Sequence, residues 1–430
     1  MYRLNVYDAV QRRLKVIFDN FEYVYVSFSG GKDSGVLLNL CIDYLRKHHP
    51  GRRLGVFHLD YEVQYKHTID YVRRVYAAHS DILDVYHCCV PVKVSTCASM
   101  LQQYWRPWDP DNRQIWVREM PEGALTQSDF GFFNPSMWDY EFQWLFSRWV
   151  RRTTKSKNVC CMVGIRTQES FNRWRAIHSN KNYRHMWNYK WTHRVGWHEY
   201  NAYPIYDWLT TDVWTANGKF GWDYNRLYDL YYRAGLPLGS QRVASPFISQ
   251  AIATLYLYKA IDPDMWARMV GRVNGVGCAG IYGNTGAMGW RHISFPPGFS
   301  WKRYMYFLLD TLPTRIRCNN LTKLQVLIKF WRDKGGVLSD ETIERLQQAG
   351  VDITVLPPTH IRSGKRIVKM EYIDDVDIPD FRYIPTYKRV CICIMKNDHT
   401  CKYMGFSQNK KEQEMRRLAI DKFKNIEHVR

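Results

Sequence analysis

The segment Ser29-Gly30-Gly31-Lys32-Asp33-Ser34 constrains this chain more than any other stretch of it. Before it stands Glu22-Tyr23-Val24-Tyr25-Val26-Ser27-Phe28, whose β-branched and aromatic residues predict a strand. After it, Asp33 to Lys47 carries Val36, Leu37, Leu40, Tyr44 and Leu45 at helical spacing. A strand, two glycines and the opening of a helix form a cradle for phosphate. Glycine lets the backbone turn sharply, so successive N–H groups converge on one concavity. The positive end of the helix adds to that field, as do the Ser29 and Ser34 hydroxyls and the Lys32 charge. Asp33 suits two roles, capping the helix or holding magnesium. The spacing is not that of the G-x-x-x-x-G-K-[ST] loop.

Strand-like and helical patterns then alternate, as in a parallel α/β sheet. Leu54 to Asp60 and Leu83 to Val90 read as strands, with a helix from Tyr65 to His79 between them. Asn158 to Gly164 is a fourth strand and Ala202 to Ile205 a fifth. An irregular insertion over about residues 106–138, rich in Pro, Asp, Gly and Phe, has the length of a lid or docking surface. Helices are expected over Thr211 to Asn217, Asn225 to Ala234 and Phe247 to Ala260, with Gly235 suited to a C-cap. The expected division is an α/β domain over 1–245 and a mostly helical domain over 246–430.

Beyond the fourth strand, Arg166, Glu169 and Arg173 fall at i, i+3 and i+7, one face of an expected helix. Strand C-terminal ends are where open α/β sheets bind ligands. The two arginines there suit a phosphate or sulfate clamp oriented by Glu169; the alternative is a surface salt-bridge stripe. Asp207 and Asp212, beside Thr210 and Thr211, suit helix capping as well as function.

These segments together resemble the PAPS reductases and N-type ATP pyrophosphatases, whose pyrophosphate loop reads S-G-G-x-D-S. Phe57-His58-Leu59-Asp60 resembles the strand end where that superfamily meets adenine and ribose. Gly164-Ile165-Arg166-Thr167-Gln168-Glu169-Ser170 with Arg173 is similar to its G-x-R-x-x-E-S…R element. Tyr203 to Trp208 with Thr211 to Trp214 is similar to P-I-x-D-W-x-x-x-D-V-W. Tyr224 to Gly235, Arg242, Ser245-Pro246-Phe247, Gly280 to Gly283 and Lys396-Asn397-Asp398 with Cys401 resemble a bacterial and phage branch that includes the immunoglobulin-binding regulator type.

The resemblance implies a Rossmann-like parallel sheet with helices on both faces, followed by a smaller helical domain. It implies a site for ATP or PAPS with Mg2+, using Ser29, Gly30, Gly31, Lys32, Asp33, Ser34, Asp60, Gly164 and Arg166. The catalytic set it implies is Lys32, Asp33, Arg166, Glu169 and Arg173.

The chain also departs from the sulfate-reducing members. Cys391, Cys393 and Cys401 are its last cysteines, and none lies in an E-C-G-x-x-H element. Cys88-Cys89 and Cys160-Cys161 are pairs, but no C-x-x-C accompanies them, so an iron–sulfur cluster is not expected. Cys391, Cys393, His399 and Cys401 have metal-ligand types at the wrong spacing for zinc. Eleven irregularly spaced cysteines argue against a disulfide framework. No apolar run approaches the ~20 residues that span a bilayer, and the expectation is a cytoplasmic protein with no membrane partner.

The formal net charge of +20 favours polyanionic partners. Arg151, Arg152, Lys155 and Lys157 form one basic cluster; Arg173, Arg175, Lys181, Arg184, Lys190 and Arg194 form another. The second is interleaved with Trp174, Tyr183, Trp187, Tyr189 and Trp191, a mixture that suits single-stranded nucleic acid. The competing account is an aromatic core with solvated basic residues. The function expected is AMP-forming adenylyl transfer with pyrophosphate release, in a nucleic-acid-linked modification or defence pathway. The alternatives are a nucleotide-binding regulator with a ParB/sulfiredoxin-like partner, and a sulfonucleotide reductase or sulfurtransferase with an atypical thiol.

Overall fold

The computed structural model describes residues 5–169, 173–174, 177, 186–243, 245–249, 251–283, 295, 297–357 and 365–405. They separate into two compact units. The first comprises Met1–Val94, Tyr104–Pro246 and Leu255–Val273; the second comprises Ser95–Gln103, Phe247–Thr254 and Asn274–Arg430. Among the described residues, no helix is long and apolar enough to cross a membrane.

The first unit is built on helix α1 (Val6–Asn20), strand β1 (Tyr23–Ser27), α2 (Lys32–His48), β2 (Leu54–Leu59), α3 (Lys66–Ala78), β3 (Leu83–Cys88), α4 (Asp139–Thr153), β4 (Val159–Val163), β5 (Thr192–Arg194) and β6 (Glu199–Ala202). Its six strands run in the order β3-β2-β1-β4-β6-β5. All neighbours are parallel except β5, which lies antiparallel to β6. This is the expected Rossmann-like sheet, and its order reverses between β1 and β4. Strands β1 and β2 are buried almost throughout, which their continuous apolar composition requires of a sheet covered on both faces.

Helix α1 begins at Asn5, whose side chain accepts from the Asp8 N–H at 2.8 Å, and buries Val10, Leu14, Ile17 and Phe18. Helix α2 buries Val36, Leu37, Leu40, Cys41, Tyr44 and Leu45 in the same core. Phe146 of α4 packs against Phe57 with ring centroids 4.2 Å apart and against Tyr25 at 5.6 Å. Much of the high aromatic content is thus packing.

Three local expectations change. The fifth strand is Glu199–Ala202 rather than Ala202 to Ile205, because Pro204 has no N–H for a ladder and the chain turns there. Arg166 itself lies ahead of the expected helix: Thr167–Glu169 form a 3-10 turn, and among the described residues beyond it Arg173 and Trp174 are helical. The turn's backbone is diverted: the Thr167 N–H donates to the Tyr206 carbonyl at 2.8 Å. The helix expected over Phe247 to Ala260 is broken into a turn at Ile252–Thr254 and a helix at Leu257–Ile261. The Phe247 carbonyl takes the Cys97 N–H at 2.7 Å instead of a helical partner.

The insertion is pinned to the segment after β2. Glu62, fully buried, accepts from the N–H groups of Trp108 at 2.7 Å and Val117 at 3.1 Å and from Arg272 at 2.8 Å. Removing such a hub leaves several buried donors unpaired. Helices α5 (Thr210–Phe220), α6 (Leu227–Arg233), α7 (Leu257–Ile261) and α8 (Pro263–Arg272) complete this unit.

The second unit holds α9 (Val276–Tyr282), α10 (Trp301–Asp310), α11 (Thr314–Asp333), β7 (Gly336–Ser339), α12 (Asp340–Gln348), β8 (Thr354–Val355), β9 (Lys365–Lys369) and α13 (Tyr387–Met395). Beside its helices it carries a small antiparallel sheet, order β8-β9-β7, with no counterpart among the expected elements. Met305, Leu309, Leu324, Trp331, Leu346, Val368 and Cys391 form its core.

Candidate functional site

Loop 29–34 joins β1 to α2, and its conformation explains its glycines. Gly30 has φ +73°, and a Cβ there would stand 2.9 Å from Thr68 Cγ2 and 3.1 Å from Val72 Cγ2. A side chain is therefore excluded by backbone strain and by α3 at once. Ser29 and Ser34 hydroxyls lie 3.1 Å apart, and Ser34 donates to the Gly31 carbonyl at 3.1 Å. Asn225, fully buried, donates to the Gly30 carbonyl and to Thr68 Oγ1, both at 2.9 Å. The Lys32 N–H donates to the Tyr228 hydroxyl at 3.0 Å.

Around this loop the charges are crowded. Lys32, 7% exposed, lies with its Nζ 3.3 Å from Asp33 Oδ2 and 3.4 Å from the Gln241 carbonyl. Arg166, 1% exposed, donates from Nε to Asp33 Oδ1 at 2.6 Å and from Nη1 to Gln168 at 3.2 Å. Glu169 pairs with Arg173 and lies 3.8 Å from Arg166 Nη2. Gly164 brings the end of β4 close: a Cβ on it would stand 3.0 Å from the Asp33 carbonyl carbon and the Ser34 nitrogen.

Burial pushes the Lys32 pKa down; Asp33 opposes this, and the charges of Arg166 and Arg242 add to it. Burial likewise lowers Arg173, with Arg242 and Arg166 pushing the same way against Asp33. Four cations thus face two carboxylates, Asp33 and Glu169, at the C-terminal ends of β1 and β4. An anion placed there would relieve the repulsion among them. Both oxygens of Asp33 are engaged by cations, one each.

Asp60 lies past the end of β2, 1% exposed, and accepts from Arg118 at 2.6 Å, His87 at 2.8 Å and the Glu62 N–H at 2.8 Å. Burial raises its pKa, but Arg118 and His87 outweigh that and hold the carboxyl well below the usual range. Burial pushes His58 down to about 4, with His87 contributing, so its imidazole is neutral. A cavity of about 430 Å³ opens beside these residues, lined by Gln64, Val72, Tyr76 and Glu122 among others. Val72 also touches the space above Gly30, so the cavity adjoins the phosphate loop.

The structure brings Ser29, Gly30, Gly31, Lys32, Asp33, Ser34, Gly164, Arg166, Glu169 and Arg173 into one place, with Asp60 at the neighbouring strand end. Asp207 pairs with Arg13 and the Asp212 carboxylate accepts the Leu209 N–H at 2.7 Å, a cap. Asn225, Tyr228, Arg118 and His87 also meet these residues, and the sequence points to none of them as site residues beyond the resemblance over Tyr224 to Gly235. Arg151 is paired with Glu199 at 2.8 Å, and Trp191 is buried. Arg175, Lys181, Tyr183, Arg184 and the Trp187 side chain lie outside the described residues. Nine of the eleven cysteines are buried and Cys278 and Cys318 are exposed; burial raises Cys97, Cys161 and Cys391 to about 12. His399 Nε2 lies 2.9 Å from the Ser99 carbonyl, whereas Cys393 and Cys401 Sγ approach Asp398 and Asn320.

Residues 23–235 match the phosphoadenosine phosphosulfate reductase domain, and residues 235–415 match a domain of unknown function, DUF3440. The chain is 31% identical over 418 residues to the uncharacterized protein YbdN of Escherichia coli (strain K12), spanning 96% of this chain and 93% of that one. Among solved structures, it is similar to the phosphoadenylyl-sulfate (PAPS) reductase from Candida auris in its phosphate complex, at 15% identity and a TM-score of 0.28, over 55% of this chain and 87% of that one. It is similar to the Candida glabrata FMN adenylyltransferase in complex with ATP, at 13% identity and a TM-score of 0.31, over 52% and 57%. It is similar to the U34-tRNA thiolase NcsA from Methanococcus maripaludis with its [4Fe-4S] cluster, at 13% identity and a TM-score of 0.28, over 63% and 80%. The chain belongs to the PAPS reductase family, with that family's domain followed by a DUF3440 domain.

Proposed function

We propose that the chain binds ATP with its phosphates on loop 29–34 and catalyses AMP-forming adenylyl transfer. The observation that carries this reading is the cation cluster of Lys32, Arg166, Arg173 and Arg242 beside a helix N-terminus. It stands at the β1/β4 junction, where the strand order reverses and such sheets take ligands. An acceptor oxygen attacks the α-phosphorus, and pyrophosphate leaves with its charge met by these cations and the loop N–H groups. Magnesium would enter with the nucleotide's phosphates, and Asp33 beside the loop is its candidate protein ligand. Nucleic acid is the acceptor class in this reading. Support comes from exposed Arg152, Lys155 and Lys157, and from Trp197, 69% exposed, with the Arg194 guanidinium 5.3 Å from its ring.

Calorimetry with ATP, APS and PAPS in parallel tests the site. ATP binding, followed by pyrophosphate release and transfer of the adenylyl group to added single-stranded DNA or RNA, supports it. Binding of PAPS alone replaces the adenylyl donor with a sulfonucleotide.

A further inference from the structure

A second group of side chains stands beside the phosphate loop, at the ends of β2 and β3. His58 and Asp60 are two residues apart at the end of β2, on one side of the chain, and His87 on β3 is in register with His58. One ligand atom from each of the three lies within 4.8 Å of the others. His58 Nδ1 is 2.7 Å from the Phe28 carbonyl. That carbonyl accepts the Nδ1–H and leaves the lone pair on Nε2, the arrangement that orients a metal-bound imidazole. His87 Nε2 and Asp60 Oδ2 are 2.8 Å apart. Two donors at right angles on one ion, with bonds of about 2.05 Å, stand about 2.9 Å apart.

We propose that His58, Asp60 and His87 form a binding site for one divalent first-row transition ion. The H-x-D pair with a third histidine on the next strand supplies two imidazoles and one carboxylate, a set that leaves coordination positions open. The chemistry of the set selects the class of ion. Arg118 Nη2 lies within 2.6 Å of both Asp60 oxygens and offsets the carboxylate charge. Magnesium and calcium depend on oxygen ligands and their charge, whereas cobalt, nickel, zinc and iron are held well by imidazole.

The cavity supplies an independent observation. Gln64 and Tyr76 line it, and Gln64 Oε1 and the Tyr76 hydroxyl are buried without hydrogen-bond partners. Buried polar atoms are rarely left so, and water or a ligand on the ion would satisfy them. The open positions therefore face a space that already has unmet polar groups.

Chelator-stripped full-length protein titrated with Co2+ and Zn2+ tests this, read by Co2+ visible absorption and by bound metal after dialysis. The expected result is one ion per chain, with Mg2+ failing to compete. His87→Ala and His58→Asn should each weaken binding by at least ~10-fold. Cys393→Ser, Cys401→Ser and Lys32→Ala should leave it unchanged, which separates this site from the cysteines and from the nucleotide reading. Because His58 is buried, 15N-histidine spectra of the unaltered protein provide a second measure: Zn2+ should shift two imidazoles. No binding tighter than ~1 mM, or full binding in both histidine variants, would overturn the site.

Discussion

The Arg166 guanidinium donates to Asp33 Oδ1 at 2.6 Å, tying the end of β4 to loop 29–34 across the β1/β4 junction. Arg166 is 1% exposed, and its Nη1 also reaches the Trp208 carbonyl at 3.4 Å. Removing one partner of a buried pair strands the other, so Arg166→Ala should cost about 3 kcal/mol in urea unfolding. Arg166→Lys keeps the charge but not the fork and should recover only part of it. A loss under ~0.5 kcal/mol would show that the pair does not hold the loop.

Asn225 links three backbone or side-chain groups around the loop: the Gly30 carbonyl, Thr68 Oγ1 and the Leu227 N–H. Asn225→Ala should destabilise the first unit by about 2 kcal/mol, since buried partners are left unpaired. Tyr228→Phe removes only the acceptor of the Lys32 N–H and should cost about 1 kcal/mol. Thermal melts of both variants beside the parent will rank them, and equal stability of all three would contradict the buttress.

The centre of the parallel sheet was legible because β1, β2 and β4 are nearly continuous apolar runs, whereas β6, which reads Glu-Tyr-Asn-Ala, was misplaced and the three-residue antiparallel β5 was missed. The site cluster was legible where spacing carried it, as with Arg166, Glu169 and Arg173, although Arg166 precedes the helix, Glu169 ends a 3-10 turn and of the three only Arg173 is helical. Residues supplied from far along the chain were not. Arg118 reaches Asp60 from within the insertion, and Asn225 reaches Gly30 across 195 positions, with no local period to announce either. The small sheet β8-β9-β7 escaped for another reason: its strands are short, and β8 has two residues. Pinning of the insertion by Glu62 also had no signature, because a buried glutamate reads as a surface residue until its partners are known.

Thiol chemistry should be absent from the nucleotide reaction. Burial holds Cys97, Cys161 and Cys391 protonated, and the E-C-G-x-x-H element is missing. With PAPS and reduced thioredoxin, no sulfite above background is expected. Sulfite formation abolished by Cys401→Ser would make that cysteine a nucleophile and reverse the assignment.

Nucleic-acid binding should be salt-dependent, with log K falling by about 0.7 per phosphate contact against log salt on single strands. Replacing Arg152, Lys155 and Lys157 by alanine should flatten that slope by up to ~2. Trp197→Ala should instead weaken binding by about 1–3 kcal/mol with the slope unchanged, as loss of a stacked base does. Fluorescence anisotropy at several salt concentrations reads both. An unchanged slope in the triple variant would move the contact surface elsewhere.

The central claim is that loop 29–34 binds the phosphates of ATP, and calorimetric titration of ATP into the parent, Lys32→Ala and Asp33→Ala proteins tests it most directly. Lys32 is buried in the loop, with its Nζ 3.3 Å from Asp33 Oδ2 and 3.4 Å from the Gln241 carbonyl, and it is the cation that the account places nearest the phosphates. The account predicts measurable ATP binding in the parent, a loss of at least ~10-fold in each variant, and melting temperatures that show both variants folded. ATP affinity unchanged in two folded variants would contradict it.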